Sequence, residues 1–313
     1  MHFDEIRQNL MRKIEAELLP LIDRDYRLLE IPDYPNVGDV LIFQGELAFL
    51  RKVPFRCVEM ATMRSFANRL PRIAEDELLI FSGGGYFGDL WPAGPAFQRI
   101  VLQKYPKNPM LILPQSVRFD DSSKLLEAVK LYGSHENLSI CLRDKDSYNF
   151  IRENFPNKAY LVPDMAFFAK VNGSKKCVGH CDRKLLILRN DKELLAGPAL
   201  AALQDNDNCD VRDWPTMENT GCIEWLMTFV KQRPSLCGRC YDAFVRYCYR
   251  AHVLASGVRL VNQYDQIIST RLHGCVLALL LQKRVQALDN SYGKIYALID
   301  TWLQDCEEIC KIG

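Results

Sequence analysis

A β-branched run, Gln266-Ile-Ile-Ser269, passes through Thr270-Arg-Leu-His-Gly274 directly into the unbroken apolar run Cys275-Val-Leu-Ala-Leu-Leu-Leu281. A segment that turns from strand into buried helix within a few residues fits few folds, and the commonest is a parallel sheet covered on both faces. Ser269 or Thr270 is expected to cap the helix, which puts Arg271 and His273 in its first turn. Free backbone N–H groups and the positive end of the helix dipole already favour an anion there. A guanidinium and an imidazole at the same end do little for the helix and suit a phosphate or carboxylate ligand. The plainer alternative pairs Arg271 with a nearby carboxylate and leaves His273 as an interior histidine. Position decides for the ligand, because open α/β sheets bind at the carboxyl ends of their strands.

The same alternation runs through the rest of the 313 residues. Apolar positions Ile6, Leu10, Ile14 and Leu18 make a helical stripe that Pro20 closes. Strand-length runs follow at residues 26–31, 55–60, 77–81, 110–113, 138–142 and 160–163, and again at 184–188, 266–269 and 284–288. Helical patterns separate most of them. Residues 170–184, rich in Gly, Asn, Ser, Lys and Cys, read as a linker. The expected fold is therefore α/β, with two Rossmann-like doubly wound domains over residues 1–172 and 173–313 and a cleft between them; the last helix is expected to pack back on the first domain.

Several loops at strand ends carry candidate ligand contacts. Asn36, Gly38 and Asp39 stand where the first polar loop meets a helix, although Asp39 could equally be an N-cap. Ser82-Gly-Gly-Gly-Tyr-Phe-Gly-Asp89 satisfies the Gly-x-Gly-x-x-Gly pattern of dinucleotide sites, but it follows a third strand and the next strand ends in Pro114-Gln115 where a ribose-binding acid is needed. A nicotinamide cofactor is rejected on that ground. The adjacent glycines still imply backbone exposed beside a ligand, or a tight turn at the sheet edge. Arg143 holds the place in its βα unit that Arg271 holds in its own, though spacing alone favours a structural Arg143–Asp144 pair. Lys294 follows Asp289-Asn-Ser-Tyr-Gly293 at another strand end.

Composition removes other classes. A formal charge of +1 and the absence of a like-charge block argue against nucleic acid. With acids early in the chain, no signal-like apolar core and no run long enough to span a bilayer, a cytoplasmic location is expected. The twelve cysteines then read as reduced thiols. Cys177, His180 and Cys181 with Cys237 and Cys240 could supply zinc ligands, but they lack paired-knuckle spacing, and no metal is expected.

Taken together, Asn36-Val-Gly-Asp39, Ser82 to Asp89, Leu113-Pro-Gln-Ser116, Leu142-Arg-Asp144, Thr270-Arg-Leu-His-Gly274 and Asn290-Ser-Tyr-Gly-Lys294 resemble, in order, the motifs of the polysaccharide pyruvyl transferase family. The resemblance implies a glycosyltransferase-B-like arrangement. It also implies transfer of pyruvate from phosphoenolpyruvate to two sugar hydroxyls as a cyclic ketal, in capsular or exopolysaccharide biosynthesis. Carried over, Arg271, Leu272 and His273 match the phosphoenolpyruvate motif, Arg143 a further anion-binding arginine and Asp39 an acid of the first loop. Arg143, Arg271 and Lys294 would grip phosphate and carboxylate; His273 would deliver the proton and Asp39 act as base or orienting group. Gly84, Gly85, Tyr86, Asp89, Ser291 and Tyr292, with Asn36 and Gly38, are the expected acceptor or loop contacts. The acceptor implied is a lipid-linked saccharide met at the inner membrane face, with phosphoenolpyruvate as donor and no cofactor. A nucleotide-sugar glycosyltransferase of the same architecture and a non-catalytic phospho-ligand module are the rival readings.

Overall fold

The computed structural model describes residues 1–312 apart from 174–178, 180–182, 196, 219–220, 234–235 and 237. Seven strands, β1 (Tyr26–Leu29), β2 (Cys57–Ala61), β3 (Leu78–Phe81), β4 (Gly84–Gly88), β5 (Met110–Arg118), β6 (Leu138–Leu142) and β7 (Lys158–Leu161), form one parallel sheet. Its order is β2-β1-β3-β5-β6-β7, with β4 paired to β5. Five more, β8 (Lys184–Ile187), β9 (Cys209–Arg212), β10 (Gln266–Ser269), β11 (Arg284–Ala287) and β12 (Ile309–Lys311), form a second parallel sheet in the order β12-β11-β10-β8-β9. The chain thus builds the α/β class expected, with β12 added beyond the expected last helix.

Both sheets reverse their winding direction once, the first between β1 and β3 and the second between β8 and β10. At such a switch point the connections leave on opposite faces, so a crevice opens at the carboxyl ends of the two central strands. Glu30 follows β1, Ser82 follows β3, Arg189 lies just past β8 and Arg271 just past β10. Glu30, Arg189 and Arg271, from distant parts of the sequence, are thereby brought to the crevices, while Ser82 turns its hydroxyl to the buried Glu46 at 2.9 Å.

Strand alternation sorts the core into layers. Leu78 and Ile80 of β3 face a large cluster that runs continuously from the first sheet to the second, whereas Leu79 and Phe81 face a cluster on the outer side of the first sheet. The large cluster takes in the helices Val37–Leu50, Arg250–Asn262 and Leu272–Leu280, together with the N-terminal helix Phe3–Leu18, whose Ile6, Leu10, Ile14 and Leu18 are buried as the stripe requires. The final helix, Lys294–Trp302, lies against the first half: Trp302 donates its indole N–H to the Arg143 carbonyl at 2.7 Å, and Thr301 accepts from the Lys145 N–H at 3.1 Å.

Local starts differ from expectation in instructive ways. The helix Val37–Leu50 begins three residues early and is capped by Asn36, whose side chain accepts from the Gly38 N–H at 2.9 Å; Asp39 lies in the first turn and is not the cap. The helix Leu272–Leu280 has Arg271 itself at the N-cap, while Ser269 Oγ accepts from the Arg271 N–H at 3.0 Å and braces the turn from outside. The glycine-rich segment is mostly strand. Gly88 has φ +145°, and a side chain there would drive into the Arg118 carbonyl, so this glycine serves close strand approach in the sheet. Of the residues weighed as zinc ligands, Cys177, His180, Cys181 and Cys237 lie outside the described residues, and Cys240 is an exposed thiol.

Candidate active site

A cavity of about 420 Å³ opens between the carboxyl ends of the two sheets. Arg143, Arg189, Arg271 and Lys294 line it, and His273 lies among them. Opposite the second-sheet residues stand Glu30, Asn36, Gly38 and Asp39 from loops and helix starts of the first.

Each cation is held by acids. Arg271 forms a bidentate pair with Asp213, Nε to Oδ1 at 2.5 Å and Nη2 to Oδ2 at 2.6 Å, and its Nη1 lies 3.7 Å from Asp191. The ligand-binding and ion-pair readings of Arg271 are therefore not exclusive. Arg189 pairs with Asp191 through two nitrogens and with Glu193 at 2.5 Å. Glu193 also takes Lys294 Nζ, the Asn290 amide at 3.0 Å and the Trp91 indole N–H at 2.8 Å. Burial works against the Glu193 charge, but Lys294 and Arg189 outweigh it and pull the carboxyl down to about 2. Lys294 is itself brought down to about 8, because burial and the neighbouring Arg189 and Arg143 charges exceed the support from Glu193.

Arg143, 1% exposed, donates from Nη1 to Asp164 at 2.8 Å and from Nε to Ser116 Oγ at 2.9 Å. The expected Arg143–Asp144 pair does not form: Asp144 caps the helix Lys145–Asn154 through the Ser147 N–H and accepts from Ser116 at 2.6 Å. Asp164 also meets His273 Nε2 at 3.2 Å, so one carboxylate orients both the arginine and the imidazole. Burial opposes its charge, yet His273 and Arg143 hold it well below the usual carboxylate range. On the other side of the ring, Gly38 is the residue that lets His273 in: a Cβ there would lie 2.9 Å from Nδ1. Asp39 accepts from the Asn36 amide at 2.6 Å and is raised by burial, against the pull of His273, Lys294 and Arg143.

Other expected contacts divide. Gly85 lines the cavity, and a Cβ on it would lie 2.9 Å from Arg143 Nη2 and 3.6 Å from Lys294 Nζ. Tyr86 and Leu272 line it too. Gly84 instead packs under the Tyr86 ring. Asp89 turns away and accepts the backbone N–H groups of Asp120 and Asp121, and neither it nor exposed Ser291 lines the cavity. The Tyr292 ring lies behind, 5.2 Å from Lys294 Nζ. Residues that sequence reasoning missed are Glu30, Asp164, Arg189, Asp191, Glu193 and Asp213. Arg189, Glu30 and Asp213 had a usable signal, a charge within two residues of a strand end; Asp164 is brought in by pairing alone.

Comparison with known proteins adds four findings. The family model described as polysaccharide pyruvyl transferase matches residues 36–292. The chain is 30% identical over 305 residues to "Putative pyruvyl transferase EpsO" of Bacillus subtilis (strain 168), covering 95% of this chain and 91% of that one. It is 27% identical to "Pyruvyl transferase 1" of Schizosaccharomyces pombe (strain 972 / ATCC 24843), over 89% of this chain and 70% of the relative. A crystal structure of a protein from Klebsiella pneumoniae shares the fold at a TM-score of 0.62 and 18% identity, over 97% of this chain and 99% of that one.

Proposed function

Because this chain belongs to the polysaccharide pyruvyl transferase family, we propose that its cleft moves the pyruvyl unit of phosphoenolpyruvate onto two hydroxyls of a sugar as a cyclic ketal. The observation that carries the donor assignment is the convergence of Arg143, Arg189, Arg271 and Lys294 on one cavity that also holds His273. Phosphoenolpyruvate presents a phosphate and a carboxylate, and planar guanidinium groups suit both. For the frame we take the glycosyltransferase-B-like arrangement of two Rossmann-like domains that the resemblance implies, divided near residue 172 where the composition turns linker-like.

In this reading the donor lies against Arg271, Leu272 and Lys294 with Arg143 at its far end. His273 protonates the methylene carbon, leaving an oxocarbenium-like centre that a sugar hydroxyl attacks. Phosphate then leaves, and a second hydroxyl closes the ketal. The two hydroxyls lose two protons; one balances the proton gained by carbon, and the other departs with phosphate. Asp39 orients or deprotonates the attacking hydroxyl. The acceptor is a saccharide on a lipid carrier, reached at the membrane surface, in exopolysaccharide or capsule assembly. No described helix is long and apolar enough to cross a membrane.

The test is release of inorganic phosphate from phosphoenolpyruvate with a panel of lipid-linked and aryl galactosides, glucosides and mannosides. Release with acceptor and without nucleotide is expected. Turnover that requires a nucleotide sugar would instead make the protein a glycosyltransferase, and tight binding without product would make it a phospho-ligand module.

A further inference from the structure

Glu30 is out of keeping with its surroundings. It is 4% exposed, directly follows β1 at the switch point of the first sheet, and has φ +67°, a left-handed backbone that a side chain with a Cβ rarely adopts. Its Oε2 accepts from the Tyr86 hydroxyl at 2.9 Å and from Gln98 Nε2 at 3.0 Å, while Gln98 is held in turn by the Tyr132 hydroxyl at 2.8 Å. Its Oε1 has no hydrogen-bond partner among the described residues. Five buried side-chain polar atoms share that condition, and Glu30 alone of their residues lines the cleft.

A buried carboxyl oxygen without a partner is unfavourable in the folded protein, and an apolar side chain of similar size would satisfy the packing. The arrangement makes sense if a ligand completes it. We infer that Glu30 receives one of the two acceptor hydroxyls, with Asp39 at the other, and so helps select a sugar that presents two hydroxyls to the first-sheet wall of the cleft. This rests on the pyruvyl-transfer reading, in which donor and acceptor face each other across the same cavity. Three features support it. Glu30 and Asp39 line the cavity on the first-sheet side, whereas Arg271, His273 and Lys294 come from the second. Tyr86 and Gln98 fix the carboxyl without using Oε1. Burial raises the group to about 8, so near neutral pH it offers a hydroxyl either a donor or an acceptor.

The experiment is direct binding of 4-nitrophenyl galactoside, glucoside and mannoside, followed by saturation-transfer NMR with phosphoenolpyruvate present. Wild type is compared with Glu30→Met, which keeps length and removes hydrogen bonding, and with Glu30→Gln, which keeps shape and fixes the donor and acceptor ends. Sugar affinity is expected to fall at least tenfold in Glu30→Met and severalfold in Glu30→Gln, while phosphoenolpyruvate affinity by calorimetry stays within twofold. A purely structural Glu30 would move both ligands together or neither. Sugar affinity within twofold of wild type in Glu30→Met overturns the inference, as does the absence of sugar binding to wild type. If Glu30→Met does not fold, Glu30→Gln decides by the same twofold criterion. Sugar binding that depends on Glu30 without phosphate release in the wild type would retain this inference and remove pyruvyl transfer.

Discussion

The guanidinium of Arg271 shows how one side chain serves fold and ligand together: two nitrogens grip Asp213, and an oxyanion has to share or displace that grip. Lysine keeps the charge and loses the planar fork, so Arg271→Lys should raise the Kd for phosphoenolpyruvate at least tenfold, about 1.4 kcal/mol, and lower the melting temperature by only about 2–4 °C. Near-normal binding in calorimetry would take Arg271 out of the site. His273 has a different task. With Nε2 on Asp164, replacement by Gln should lower kcat by about a hundredfold to ten-thousandfold and change phosphoenolpyruvate affinity far less. Single-turnover chemistry unchanged at saturating donor would leave it an anion ligand only. A third prediction concerns Glu46, fully buried in the helix Val37–Leu50, which accepts from the Gly83 N–H at 2.7 Å and from Ser82 Oγ at 2.9 Å. Burial raises it to about 7, so the folded state holds its proton where the unfolded chain has lost it. Its contribution is therefore full below about pH 4.5 and lost as pH rises through about 7. Glu46→Gln should flatten that part of the stability curve, a difference of a few kcal/mol at most, since each tenfold change in proton affinity is worth about 1.4 kcal/mol. Denaturant melts at pH 5 and pH 8 with the same wild-type-to-variant difference would contradict the assignment.

The helix Val37–Leu50 is the element on which the site depends most. It presents Asp39 to the cleft, yields at Gly38 to the His273 ring, and anchors the Ser82-Gly83 turn through Glu46. Nearly every face of it is covered, which is why its sequence lacks a polar stripe. Gly45 lies where this helix crosses the short helical turn Met165–Phe168, and a Cβ there would sit 1.7 Å from the Met165 carbonyl oxygen. That oxygen belongs to backbone and cannot swing aside. Gly45→Ala should therefore destabilise severely, by about 3 kcal/mol or more, and the expected sign is loss of soluble protein or a melting point depressed by over 5 °C. A variant that melts like wild type would mean that the two elements are not so closely packed.

Across the whole molecule, two sheets share one apolar core. The large cluster joins residues of both, and polar ties cross as well: Asp242 accepts from the Thr62 N–H and from Ser65 Oγ at 2.6 Å, and Trp302 donates its indole N–H to the Arg143 carbonyl. Relative domain motion is the ordinary expectation only where the interface is small and polar. Here heat should unfold both halves in one calorimetric transition, with phosphoenolpyruvate shifting it as a whole. Two resolved transitions, one insensitive to ligand, would show that the halves fold apart.

The alternation of apolar runs determined the α/β class and most strand positions, because burial on both sheet faces leaves a pattern in neighbouring residues. The residues around Arg271, His273, Arg143, Lys294 and Asp39 were legible for a related reason: the first three are charged or titratable side chains shortly past a strand end, Asp39 and Lys294 lie in the first turn of the helix that follows a strand and loop, and both juxtapositions are local. Which acids they meet was not local. Asp213 reaches Arg271 across 58 positions, and Asp164 reaches His273 across 109. Glu30 is the clearest case. In the sequence it is one polar residue closing a strand, and only the switch in winding between β1 and β3, with Tyr86 and Gln98 folded onto one oxygen, turns it into a buried carboxyl beside the cleft. Pairing and burial arise from contacts between segments far apart in the chain, so they entered only when the tertiary structure brought those segments together.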